Sequence, residues 1–183
     1  MKKTSIAAAN RILNGKSNPY DKAGFWFKDQ KTGKIGVTDS YCCVMYDHNV
    51  DLSDMDTSHS PYFDDFECNR ESPFPTDVTK LFEPFNNEFH EWYSDDRMEN
   101  LLVKDIIDTC KAAKKDKADN STWYEQKKFG INFNINLMRD VCEALNCKTV
   151  GIYYPFNPLE AGYYKPIVII GENGMGLIMP IRH

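Results

Sequence analysis

The side chains best suited to chemistry are the carboxylates, histidines and cysteines, and their spacing limits what they do. Asp47, Asp51, Asp54 and Asp56 form an acidic run that superficially suggests a calcium loop. An EF-hand loop needs a glycine and a terminal glutamate at fixed positions, and neither stands at the required spacing. The run therefore reads as a solvated loop. His48, His59, His90 and His183 fall at no metal-binding interval and form no nucleophile motif with a cysteine or serine. Cys42 and Cys43 are adjacent, Cys142 and Cys147 bracket a helix end, and Cys68 and Cys110 stand alone. Without a CxxC pair, a zinc knuckle is not expected. Gly171-Glu172-Asn173-Gly174-Met175-Gly176 precedes strand residues rather than a helix, so it is no dinucleotide fingerprint. These patterns give no catalytic residue, no metal site and no cofactor, and the chain is not expected to be an enzyme.

The elements that position these residues follow from composition and period. At 183 residues the chain is long enough to bury a substantial core without disulfides or metal. Its hydrophobic and aromatic contents, 42% and 13%, argue against global disorder. No apolar stretch approaches the length of a membrane span, and the polar N-terminus lacks a signal-peptide core, so a cytoplasmic location with no membrane partner is expected. Charge is segregated. Residues 47–100 carry 15 acidic and 3 basic residues, a net of −12, whereas the rest carries 12 acidic and 19 basic, a net of +7.

Phe129, Ile131 and Phe133 alternate as a strand with one buried face. Asn134 or Asn136 then caps a helix carrying Ile135, Leu137, Met138, Val141, Cys142 and Leu145, which Asn146 ends. Strands follow at 149–154, 165–170 and 176–181, the last two joined by a tight hairpin through Gly171 to Gly174. Near the N-terminus, Thr4 to Leu13 forms a helix stopped by Asn14-Gly15, with strands at Gly24–Lys28, Lys34–Thr38 and Tyr41–Tyr46. Adjacent residues on a strand point to opposite faces, so Cys42 and Cys43 are expected to pack or lie exposed as reduced thiols. Between these parts, residues 50–77 read as loop, and the aromatics from Tyr62 to Tyr93 are expected to anchor the segment against the body. A helix is expected from near Asp96 to Lys115, with Leu101, Leu102, Ile106, Ile107 and Cys110 on its apolar face. Lys111, Lys114, Lys115 and Lys117 complement its dipole, and phosphate contact is a second option. The fold class is α+β.

The residues carry a resemblance. FGINFNINLMRDVCEALNCKTVGIYYPFNPLEAGYYKPIVI, with GLIMPIRH at the end, resembles the closing segment of the bacterial DNA polymerase III β subunit, the DNA sliding clamp. VTDSYCCVMYD resembles that family's Thr-Asp-(Ser/Gly)-(Tyr/His)-Arg-Leu motif, with Cys42 in place of the arginine that helps to line a peptide pocket. The pocket is therefore expected to be altered, narrowed in specificity or lost.

The resemblance covers roughly the first 50 and the last 55 residues. It implies one clamp domain, residues 1–183, built from two pseudo-twofold helix-plus-sheet halves with antiparallel strands. Residues 1–50 form the first half, 51–127 an acidic, aromatic insertion with a helix, and 128–183 the second half. It further implies a processivity or tethering factor that closes around duplex DNA by homo-oligomerisation. Lys2, Lys3, Arg11, Lys16, Arg139 and Lys148 are then the candidate DNA-facing charges. Thr38, Ser40, Tyr41, Met179, Pro180, Ile181 and Arg182 are the candidate peptide site for DNA polymerase or other replication and repair proteins. The family builds that pocket across neighbouring domains, so in a one-domain chain the two motifs are expected to meet only between subunits, or not at all. The alternative is a clamp-fold interaction module or inhibitor that does not encircle DNA, its acidic insertion covering the DNA-facing surface or mimicking DNA. A cysteine-based redox or regulatory protein is the third reading.

Overall fold

The computed structural model describes residues 2–15, 24–28, 33–51, 93, 95–115, 123–155 and 166–180. In chain order the elements are α1 (Lys3–Leu13), β1 (Phe25–Lys28), β2 (Ile35–Thr38), β3 (Cys42–Tyr46), a 3-10 turn (Asp95–Arg97), β4 (Met98–Leu102), α2 (Val103–Lys115), β5 (Trp123–Gln126), β6 (Ile131–Asn134), α3 (Ile135–Ala144), β7 (Thr149–Tyr153), β8 (Ile167–Gly171) and β9 (Gly174–Ile178). The fold is α+β, as the sequence implies.

Seven strands form one antiparallel sheet in the order β1-β2-β3-β9-β8-β7-β4, and β5 pairs with β6 in a separate hairpin. Its centre is the β3–β9 seam, where Cys42 faces Ile178 and Tyr46 faces Gly174. On either side lies a helix followed by a three-stranded meander, α1-β1-β2-β3 and α3-β7-β8-β9, so the two halves are related by a pseudo-twofold axis at that seam.

Strand alternation sorts the core into two faces. Cys42, Val44 and Tyr46 point to the helices and join Trp26, Val37, Ile152, Ile169 and Ile178 in the larger cluster. Cys43 and Met45 point the other way and pack with Phe27, Tyr93, Val168 and Leu177. The paired cysteines thus lie on opposite faces, and both are buried. Asn134 caps α3 by accepting the Asn136 N–H at 2.9 Å, and Asn146 beyond the helix end takes φ 55°. Gly176 lets α3 settle on the sheet, since a Cβ there would lie 2.3 Å from Val141 Cγ1.

The central segment departs from expectation. Residues 98–102 are an edge strand paired with β7, Met98 opposite Tyr153, and the helix starts only at Val103. Leu101 and Leu102, read as one helix face, instead alternate; Leu102 is 43% exposed. The open ladder groups of β7 supply a partner that the 3.6-residue period of the leucines cannot reveal. Ile106 and Cys110 do face inward, and α2 packs beside α3 in the layer that also holds α1. Of the expected loop and its aromatics, residues 52–92 lie outside the described residues.

Tyr46 is 1% exposed and its hydroxyl meets no hydrogen-bond partner among the described residues. Removing that unsatisfied group should be favourable by about 1 kcal/mol. Tyr46→Phe is therefore expected to raise the melting temperature by about 2–4 °C. A fall of that size in a thermal melt would show that the hydroxyl is bonded.

Candidate peptide-docking surface and helical face

The β2–β3 turn uses its motif residues to build itself. Thr38 Oγ1 donates to the Cys42 carbonyl at 2.7 Å and accepts the Ser40 N–H at 3.1 Å. Asp39 Oδ1 accepts the N–H groups of Tyr41 at 2.9 Å and Cys42 at 2.8 Å, the local bonding that suits Asp to turns. Burial lifts the Asp39 carboxyl above its ordinary value, against the pull of those backbone donors. Ser40 takes φ 75°. Thr38 Oγ1 and Asp39 Oδ1 are therefore occupied and both residues are buried, which leaves exposed Ser40 and half-buried Tyr41 as the part of the motif that meets solvent.

The C-terminal motif arrives at the same place. The Met179 N–H donates to the Tyr41 carbonyl at 2.9 Å, carrying the β3–β9 pairing one step past Ile178. Met179 and Pro180 are half-buried beside the turn. The two motifs therefore meet within one chain, contrary to the expectation that they meet between subunits or not at all. The pseudo-twofold seam accounts for this, because β3 and β9 are neighbours in the sheet although they are far apart in sequence. Ile181 and Arg182 lie outside the described residues. Cys42 is 2% exposed and sits in the helix-facing core. Burial first, then the Asp39 charge, pushes its thiol well above the usual range. Burial likewise raises Cys43 and Cys142, and takes Cys110 to about 11. Thiols so placed lack the lowered pKa that reactive cysteines need.

The expected DNA-facing charges divide. Lys2 and Lys3 are exposed at the start of α1, Lys148 is exposed in the link from α3 to β7, and Lys16 lies outside the described residues. Arg11 and Arg139 are engaged elsewhere. Arg11 Nε meets Asp140 Oδ1 at 2.7 Å and its Nη2 meets Glu143, while Arg139 Nη2 meets the same Asp140 oxygen at 2.8 Å. The Asp140 side chain is 0% exposed. Burial disfavours the Arg11 charge, but Asp140 and Glu143 outweigh it and hold its pKa above the ordinary value. These four side chains form a clasp that ties α1 to α3, reinforced by the Ser5 hydroxyl donating to Asn146 Oδ1 at 3.1 Å. Asp140 and Glu143 carried no local sequence signal, since Arg11 lies 129 and 132 residues away.

A cavity of about 170 Å³ opens between α2, α3 and the β5–β6 hairpin, with Leu101, Ile106, Phe133 and Met138 among its apolar walls and Glu99 and Gln126 among its polar ones. It borders β4 and β7, outside the β3–β9 seam. Among the described residues no group of three or more His, Cys, Asp or Glu is placed to hold a metal, and no helix is long and apolar enough to cross a membrane.

No protein-family model and no curated protein matches the chain. Among solved structures it is similar to the β chain of DNA polymerase III from Streptococcus pneumoniae TIGR4, with 15% sequence identity and a TM-score of 0.48. The match covers 97% of this chain, which spans 63% of that neighbour's length.

Proposed function

We propose that this chain is a non-catalytic, cytoplasmic sliding-clamp-like processivity or tethering factor. In this reading, short peptide segments of a DNA polymerase or other replication and repair proteins dock at Ser40, Tyr41, Met179 and Pro180, with Ile181 and Arg182 completing the site. The helical layer faces duplex DNA without reading its sequence, and self-association supplies the remainder of a ring.

The observation that carries the reading is the Met179-to-Tyr41 hydrogen bond. It joins in one place the two motifs that resemble those of the clamp family's peptide pocket. Tyr41 supplies an amphipathic aromatic surface and Met179 a deformable apolar one, a combination that suits a hydrophobic peptide. A second observation supports the DNA-facing role of the helices. Lys2 and Lys3 stand at the N-terminus of α1, where basic residues oppose the helix dipole, and that first turn has neither an acidic residue nor a side-chain cap. An approaching phosphate would satisfy both the lysines and the helix N–H groups.

The test is fluorescence anisotropy with labelled hydrophobic segments of replicative polymerases. Tyr41→Ala and Met179→Ala are each expected to weaken capture by about 30-fold, the loss typical of a buried contact residue worth about 2 kcal/mol. Equal binding by wild type and both variants, or binding by none of them, would sink the docking site. The net charge of −12 over residues 47–100 favours the alternative, an interaction module that does not encircle DNA. That reading predicts a monomer or dimer indifferent to DNA.

A further inference from the structure

We infer that the phosphate backbone of duplex DNA lies along α2, and not along the arginines of α1 and α3. This inference rests on the DNA-facing reading of the helical layer and assigns the residues that make the contact.

Charge is unevenly balanced along the helical layer. At the α1–α3 seam two arginines face two carboxylates, Arg11 and Arg139 against Asp140 and Glu143, and the charges cancel in close ion pairs. A phosphate arriving at that seam meets a neutral cluster in which both guanidinium groups already bond carboxylates. α2 is different. It carries Lys104, Lys111, Lys114 and Lys115 against Asp105 and Asp108, a net of +2 on thirteen residues. Val103, Ile106 and Cys110 anchor it to the core, and Lys104, Asp108, Lys111 and Lys115 recur at intervals of four, three and four on its exposed side. At 1.5 Å per residue the row runs about 16 Å, long enough to follow several phosphates of a duplex.

The internal pairing leaves this row cationic. Asp108 is shared by Lys104 at 3.0 Å and Lys111 at 3.9 Å, so one carboxylate stands against two ammonium groups. Both contacts are highly exposed, with Lys104 at 83% and Lys111 at 63%, and surface pairs of this kind exchange readily for a phosphate partner. No carboxylate pairs with Lys114 or Lys115 among the described residues. Complementing the helix dipole accounts for the lysines of the last turn, but Lys104 sits in the first turn, where a positive charge is unfavourable. A polyanion alongside the helix suits the three lysines of the row, and its phosphates would take the place of the single carboxylate, Asp108, that Lys104 and Lys111 share. The position of α2 fits, because it packs against α3, the helix that carries Arg139, Asp140 and Glu143, and so lies within the same helical layer.

The experiment is the salt dependence of binding to a fluorescent 30-base-pair duplex of mixed sequence. It compares wild type, the triple variant Lys104→Gln/Lys111→Gln/Lys115→Gln, and the same three positions changed to Arg. All three side chains face solvent, so circular dichroism should report an unchanged fold. The glutamine variant is expected to lose about 2.7 from the slope of log K against log salt, about 0.9 for each phosphate contact removed, and the arginine variant to retain the wild-type slope. Wild type that binds with a steep slope, and a glutamine variant with the same slope, would overturn the assignment to α2 while leaving the DNA reading intact. Wild type that binds no duplex at low salt would overturn both.

Discussion

Asp140→Ala is expected to lower the melting temperature by about 6–12 °C, corresponding to about 3 kcal/mol. The carboxylate is fully buried and receives Arg11 and Arg139 on one oxygen, each arginine retaining roughly a quarter of its exposure. Deleting the acid leaves two guanidinium groups in a half-buried site with, among the described residues, Glu143 as their remaining acidic partner. The loss falls at the low end of the range for broken buried pairs because water still reaches both arginines. It acts on the α1–α3 contact, which holds the helices of the two pseudo-twofold halves together. Since Arg11 and Asp140 act as a unit, the double variant with Arg11→Ala should lose less than the sum of the single losses. A thermal melt of Asp140→Ala within 2 °C of wild type would show that the clasp contributes little.

Gly174→Ala is expected to destabilise the chain by about 3 kcal/mol or more, through strain and overlap together. Gly174 begins β9 after the two-residue turn Glu172–Asn173 and takes φ 143°, a conformation that L side chains rarely adopt. An added Cβ would lie 2.1 Å from the Met45 carbonyl oxygen and 3.0 Å from Tyr46 Cα, both backbone atoms of β3. Neither strand can yield without opening the seam that joins the two halves. Asn173 adds to the sensitivity of this turn, because its side-chain amide donates to the carbonyls of Leu145 and Asn146 at 3.1 and 3.0 Å and so ties the hairpin to the end of α3. Denaturant titration measures the effect; an unchanged midpoint would contradict the close approach of β3 and β9.

The parts of the fold legible in the sequence are those whose signals are local. Asn134, the alternating Ile131 and Phe133, and the glycines of the β8–β9 turn each specify their own conformation within a few residues, and the structure follows them closely. β4 was not legible. Met98, Glu99, Asn100, Leu101 and Leu102 are compatible with a helix, and their spacing to Ile106 and Cys110 matches a helical face. Only the pairing partner on β7, some fifty residues later, makes them a strand. The same limit applies to the candidate site. Motif residues single out Tyr41 and Met179 as candidates, but their meeting depends on sheet order, which no local pattern encodes. Arg11 and Arg139 looked available for phosphate because charge type is visible in a sequence and a distant carboxylate partner is not.

The most direct test of the central claim is the solution mass by light scattering across a salt series, with and without circular duplex DNA. A clamp-like role predicts self-association to a ring-sized assembly, about six copies if each chain supplies one domain, that stays on circular DNA and is lost when the same DNA is linearised. A monomer or dimer whose mass is unchanged by either form of DNA would contradict it.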